Sequence, residues 1–228
     1  DHYVLNGTKN WITNGNSASY YLVIAQTDVD KKHKGINAFI VEKAWDGVTV
    51  GKKEDKLGIR GSDTHSIMFQ DVKVPKENRI GEDGFGFKFA MKVLSGGRIG
   101  IAAQALGIAS GAYELALAYS KQRQSFGKPI HEHQAIQFKL AEMATSCYAG
   151  ESASYRAAKD IEDRITEREA AGSTHQEAEL KGVEEYAIEC SILKVAVSED
   201  VQNCADEGIQ IFGGMGFSED TPMESAWR

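Results

Sequence analysis

Residues 84–119, GFGFKFAMKVLSGGRIGIAAQALGIASGAYELALAY, decide how this 228-residue chain is organised. Within them Met91, Leu94, Arg98, Ile101, Ala105, Ile108, Ala112, Leu115 and Tyr119 recur in steps of three and four, which predicts one face of a long helix. The same period continues downstream. A second helix carries Ile136, Leu140, Met143 and Cys147 and runs on towards Ile161; a third carries Tyr186, Cys190, Leu193, Val197, Val201 and Cys204. Pro129 and the pair Gly213–Gly214 punctuate this half. Three long helices with apolar stripes make a bundle.

Upstream of Gly84 the period is that of strands. Tyr20–Thr27 (YYLVIAQT) and Ile36–Val41 (INAFIV) are short β-rich runs. In Ser66–Val74, Ile67 and Phe69 alternate with Met68 and Gln70 before the pattern loosens, and Pro75 closes the run. Turn signals at Asn14-Gly15-Asn16, the charged stretch Asp28–Gly35 and Asp46-Gly47 separate them. Strands first and helices second, unmixed, predict an α+β chain: an antiparallel β-sandwich or barrel-like unit over 1–80, then an antiparallel helical bundle over 81–228. The stretch Asp160–Glu185 is dense in charge, with Gly172-Ser173 near its middle. It reads as two helices projecting past the bundle around an exposed turn, the alternative being a partner-binding arm.

A formal net charge of −7 argues against nucleic acid as partner. The basic run Lys31-Lys32-His33-Lys34 reads as a solvated turn. No unbroken run of roughly eighteen apolar residues is present, so no membrane span is expected. Cys147, Cys190 and Cys204 form no metal-binding spacing and read as packing thiols of a reducing compartment. His131 and His133 flank Glu132 before a helix, where a capping role suits them, and no Gly-x-Ser-x-Gly elbow occurs. No metal site is expected.

Two features point to ligand chemistry. Arg98 lies on an apolar stripe, where an arginine needs either an ion pair or a ligand's polar group. Beside it Gly96, Gly97 and Gly100 each cost the helix roughly 1 kcal/mol relative to alanine, so something must approach closely there. Gly213-Gly214-Met215-Gly216 could meet a phosphate with backbone N–H groups, although as a bare pattern a plain turn is the better reading and the spacing is not that of a dinucleotide fold.

Several separated strings together resemble the acyl-CoA dehydrogenase family. They are Asn6-Gly7-Thr8-Lys9-Asn10-Trp11-Ile12-Thr13-Asn14-Gly15, Lys56–Thr64 (KLGIRGSDT), Asp71–Pro75 (DVKVP), Gly84–Phe87, Arg98–Gly107 (RIGIAAQALG), Arg123–Gly127 (RQSFG), Gln134 and Gln210–Phe217 (QIFGGMGF). They cover nearly the whole chain in the expected order, and Arg98–Gly107 is similar to short-chain members in particular.

The resemblance implies an enzyme that binds FAD and removes the α and β hydrogens of an acyl-CoA thioester, giving a trans-2-enoyl-CoA in fatty-acid β-oxidation. Electrons then leave to an electron-transfer flavoprotein. It implies that Trp11, Ile12 and Thr13 lie against the flavin ring. Arg123, Ser125 and Phe126 would reach the diphosphate and adenosine side of a neighbouring subunit's FAD, so a homo-oligomer, dimer or tetramer, is expected. Gln134 and Gln210, Ile211, Phe212, Gly213 and Gly214 would supply further contacts to the same part of the cofactor. Ser62, Ser95 and Arg98 would meet CoA, although members usually carry an acid where Ser95 stands.

The catalytic glutamate is expected beyond Arg228. The other position that members use falls at Gly97, which has no side chain, so the catalytic residue is left unknown. The resemblance further implies that the N-terminal helical domain and the C-terminal end are not in this chain, and that location is bacterial cytoplasm, preferred, or mitochondrial matrix. Two other readings stand beside it: an acyl-CoA oxidase on the same scaffold, and a non-catalytic member that binds flavin or a partner.

Overall fold

The computed structural model describes residues 2–228, which divide into two units, one up to Met91 and the other Lys92–Arg228. The first unit holds two three-stranded antiparallel sheets. β1 (His2–Thr13), β5 (Thr64–Pro75) and β4 (Val48–Lys53) form one in the order β1-β5-β4; β2 (Tyr20–Gln26), β3 (Ile36–Glu42) and β6 (Arg79–Ile80) form the other in that order. Tyr21, Val23, Phe39 and Val41 from one sheet meet Ile67, Phe69, Val72 and Val74 from the other in a single buried cluster, which makes the unit a sandwich.

The loosened alternation after Phe69 has a local cause. β5 carries an extra residue opposite β1 between the pairs Gly7–Phe69 and Leu5–Val72. Asp71 sits in this bulge at φ 51°, held by Asn6, whose Nδ2 donates to Oδ1 at 3.0 Å and whose Oδ1 accepts the Asp71 amide at 2.8 Å. The inward set therefore shifts phase from 67 and 69 to 72 and 74. The basic run forms a short, largely exposed 3₁₀ turn, Lys32–Gly35.

In the second unit α1 (Gly86–Gln122, which begins in the first unit), α2 (Gln134–Ala170) and α4 (Ala187–Phe212) are the long helices. A two-residue hairpin of β7 (Gln124–Ser125) and β8 (Lys128–Pro129) links α1 to α2. α3 (His175–Glu185) doubles back on α2 after a turn at Gly172, and α5 (Met223–Trp227) follows a 3₁₀ turn at Gly213–Phe217. Thr174 opens α3 with a capping box to Glu177. Arg164 and Arg168 of α2 grip Glu185 at 2.7 and 3.0 Å, so the charged stretch is largely satisfied within the α2–α3 pair.

The buried faces of α2 and α4 follow the sequence pattern, with Leu140, Met143, Cys190, Leu193, Val197 and Cys204 inside. The stripe expected on α1 is displaced. Its buried edge is Ala102, Ala105, Ala109, Ala112 and Ala116, while Leu94, Ile101, Ile108 and Leu115 are substantially exposed. Alanines let the helix axes approach, so the small residues take the seam and the larger ones flank it. Among the described residues α1 is the one helix long and apolar enough, by length and composition, to cross a membrane; its alanine edge is packed into the bundle clusters. Burial raises the Cys190 thiol above its ordinary value and pushes that of Cys204, beside Cys147, up to about 12, as inert packing thiols require.

Candidate functional site

In the second unit one cleft of about 370 Å³ collects most of the residues expected to hold a cofactor. Arg123, Ser125 and Phe126 line it from the hairpin side, and Gln210, Ile211, Phe212, Gly213 and Gly214 line it from the end of α4. The hairpin is tight because its two loop residues, Phe126 and Gly127, both take positive φ, 50° and 80°, the geometry that matches strand twist in a two-residue turn. For phenylalanine that conformation is strained, and its ring is 95% exposed with only an edge contact to His133, centroids 6.1 Å apart.

His133 heads α2 without capping it through its side chain. Its Nε2 instead donates to the Ser125 carbonyl at 3.2 Å and staples the hairpin to the helix start. His131 bonds the Ser120 carbonyl in the last turn of α1, at 3.3 Å, so its ring meets the end of α1, and neither ring caps the start of α2. Gln134 follows directly as the first residue of α2, outside the cleft lining.

Tyr119 stacks on Phe212, centroids 4.1 Å apart, and forms the apolar floor. Gly213 ends α4 at φ 60°, ψ −135°. A Cβ at Gly213 or Gly214 would meet nothing within 4 Å, so the backbone there is open to approach. The cleft lining contains Arg123 and no carboxylate, and the Arg123 guanidinium forms no hydrogen bond or ion pair with any described residue. The Gly213 amide is spent on the Gln210 carbonyl, so what the cleft offers is an uncommitted planar cation, a hydroxyl and open glycine backbone beside an aromatic floor, a set that suits a diphosphate joined to an aromatic base.

The first unit holds a second group. Between Lys9 and Ile12 the β1–β5 register slips, with Lys9 opposite Ile67 and Ile12 opposite His65. The bulge places Trp11 at φ 59° and leaves its indole 67% exposed, while Ile12 turns in against the core. A bulky residue held in the left-handed region costs roughly 1–2 kcal/mol, and such strain collects where a side chain must be aimed. Thr13 pairs with Thr64, two residues from Ser62, whose carbonyl accepts from Lys56 Nζ at 2.9 Å.

Ser95 and Arg98 are half-buried one turn apart on α1. Arg98 Nη1 donates to Ser191 Oγ at 3.0 Å, and none of the described ion pairs involves it. Cβ positions at Gly96, Gly97 and Gly100 face open space, so nothing in the described residues demands those glycines. No group of three or more potential metal ligands occurs among the described residues.

The family pattern described as "Acyl-CoA dehydrogenase, middle domain" matches residues 1–72, and "Acyl-CoA dehydrogenase, C-terminal domain" matches residues 84–228. The chain belongs to the acyl-CoA dehydrogenase family. Among relatives in that family, the short-chain specific acyl-CoA dehydrogenase of Megasphaera elsdenii is 46% identical over 99% of this chain and 54% of its own length. The mitochondrial short-chain specific enzyme of Rattus norvegicus is 44% identical over 100% of this chain and 51% of its own length. Relatives thus include bacterial and mitochondrial acyl-CoA dehydrogenases, and this chain spans about half their length. A solved acyl-CoA dehydrogenase from Bacillus anthracis, described as complexed with FAD, superposes at a TM-score of 0.90 with 40% identity, covering 99% of this chain and 38% of that one.

Three parts of the two sites were not read from the sequence. The Tyr119–Phe212 stack joins residues remote in the chain, and so does the His133–Ser125 staple. Asp63, though inside a recognised string, carries no local sign of the bonds it makes.

Proposed function

We propose that this chain forms the middle and C-terminal parts of an FAD-dependent acyl-CoA dehydrogenase, with domains at 1–80 and 81–228. The uncommitted Arg123 in a carboxylate-free cleft beside Ser125, Gly213 and Gly214 carries this reading. Arg123 would bind diphosphate oxygens in pairs and Ser125 would donate a further hydrogen bond. Tyr119 and Phe212 would carry the adenine, with Gln210, Ile211 and Gln134 beside it, and Phe126 would close over it. The exposed Trp11 would shield one face of the flavin ring from water, with Ile12 setting the strand and the Thr13 hydroxyl donating to the ring edge. Ser62, Ser95 and Arg98 would hold the CoA moiety. When bound, the flavin supplies the acceptor for the β hydride of the acyl chain.

The α-proton acceptor is assigned to none of the described carboxylates. The reading takes an acyl-CoA as substrate, an electron-transfer flavoprotein as acceptor, a homo-oligomer as the working state, since family members lend the Arg123 motif to a neighbour's cofactor, and the bacterial cytoplasm as location. The test is anaerobic mixing of the whole flavin-loaded protein with saturated acyl-CoA thioesters. Bleaching of the yellow flavin band, with enoyl-CoA formed, is expected. Flavin uptake without bleaching by any acyl-CoA would favour the non-catalytic reading, and fast recolouring in air with peroxide the oxidase.

A further inference from the structure

One carboxylate holds the turn that ends the Trp11–Thr13 strand. The Asp63 carbonyl accepts the Asn14 amide at 2.8 Å, and its Oδ2 accepts the amides of Asn16 and Ser17 at 3.2 and 2.8 Å. Tyr21 adds a bond from its hydroxyl to the Gly15 carbonyl at 2.6 Å, so few degrees of freedom remain in the turn.

Behind Asp63 stands His65. Its Nε2 lies 3.1 Å from Asp63 Oδ1, its Nδ1 lies 2.8 Å from the Gly51 carbonyl of β4, and the residue is buried. A carbonyl only accepts hydrogen bonds, and so does an ionised carboxylate, so the ring satisfies both partners when both nitrogens carry hydrogen. Burial alone would raise the Asp63 carboxyl, but the bonds from Ser17 and Asn16 and the His65 ring outweigh it and hold the group below its ordinary value. His65 also pairs with Ile12, and a Cβ at Gly15 would stand 2.9 Å from that of His65, so the histidine is fitted directly beneath the turn.

We propose that His65 is a positioning residue: through Asp63 it fixes the Asn14–Ser17 turn, and with it the strained, outward-facing conformation of Trp11. The proposal rests on the flavin reading above. The relay spans three segments, because Gly51 of β4 anchors the ring, the ring anchors Asp63, and Asp63 anchors the end of β1. Ser62, on the same loop, moves with Asp63, so the relay ties the flavin-side strand to one CoA-side candidate. The histidine touches neither ligand and acts through Asp63 alone.

The test compares His65→Ala, His65→Gln and Asp63→Asn with the parent in the whole protein. FAD affinity is measured by quenching of flavin fluorescence, flavin environment by the shape of the visible band, and turn order by amide exchange at Asn14–Ser17. Losing a charge-assisted hydrogen bond to the half-buried Asp63 carboxylate predicts FAD affinity weaker by about tenfold in His65→Ala. Exchange at 14–17 should accelerate while the β2–β3 ladder stays protected. His65→Gln, which keeps one donor, should recover part of the affinity, and the isosteric Asp63→Asn should resemble His65→Ala. Should His65→Ala lose its fold, Asp63→Asn and His65→Gln decide. Unchanged affinity and band shape in those variants, or exchange that rises uniformly across the sandwich, would overturn the proposal alone. A parent protein that takes up no flavin would overturn the reading beneath it, and the proposal with it.

Discussion

Replacing Gly97 by alanine should make the bundle more stable and the protein worse at holding acyl-CoA. Gly97 lies inside α1, and a Cβ built on it meets nothing within 4 Å. An interior helical glycine costs about 1 kcal/mol relative to alanine, so Gly97→Ala should gain about that amount. In a unit of this size the gain raises the melting temperature by roughly 2–4 °C. Gly96 and Gly100 have the same open surroundings and should behave alike.

The proposed function puts CoA along this stretch, and a methyl group pushed into a filled space costs roughly 1–3 kcal/mol. That corresponds to a KM for acyl-CoA raised by about fivefold to a hundredfold. Gly150 of α2 is the control. Its added Cβ would stand at ordinary van der Waals distance, 3.5 Å, from both Leu106 and Val197, so Gly150→Ala should gain about 1 kcal/mol and leave KM unchanged. Thermal melts and steady-state kinetics with a panel of acyl-CoAs measure both effects. A stabilised Gly97→Ala with unaltered KM would refute a ligand in that space, and a destabilised one would refute the helix-propensity reasoning.

Phe126→Asn should relieve a left-handed phenylalanine that buries almost nothing in this chain, adding about 1 kcal/mol of stability, read as a higher denaturant midpoint, while FAD affinity falls. Thr174→Ala removes the capping box of α3 and should cost about 1 kcal/mol locally, read as faster amide exchange over His175–Glu177 with little change in the global melt. His175 is raised above its ordinary 6.5 chiefly by its bond to Glu169. That contribution is complete below 6.5 and is lost as pH rises through the higher folded value. Both groups are exposed, so the effect is small: exchange at the 171–174 turn should gain an extra acceleration over that window, and Glu169→Gln should abolish it.

Much of this architecture follows from local pattern. The runs at 20–27, 36–41 and 66–74 lie within a residue or two of β2, β3 and the body of β5. The three helical stripes fall inside α1, α2 and α4 except for Tyr186, which stands at the N-cap of α4, and the charged stretch turns at Gly172. Residue pattern alone did not show β4 or the two-residue β6, because short half-exposed strands carry little periodicity. Each becomes a strand only by pairing with β5 or β3.

Chain order alone determined that strands precede helices, that Arg123 stands beside Ser125, Phe126 and Gly127, and that paired glycines follow Phe212. Those properties depend on neighbours along the chain. Tertiary structure decided which edge of α1 is buried, since alanines at 102, 105, 109, 112 and 116 admit the partner helices more closely than the larger residues beside them. It also decided that the hairpin and the end of α4 share one cleft, and that His65 reaches Asp63 and Gly51 at once. Such contacts depend on distance in space, and a period of 2 or 3.6 residues selects a face without naming what that face will meet.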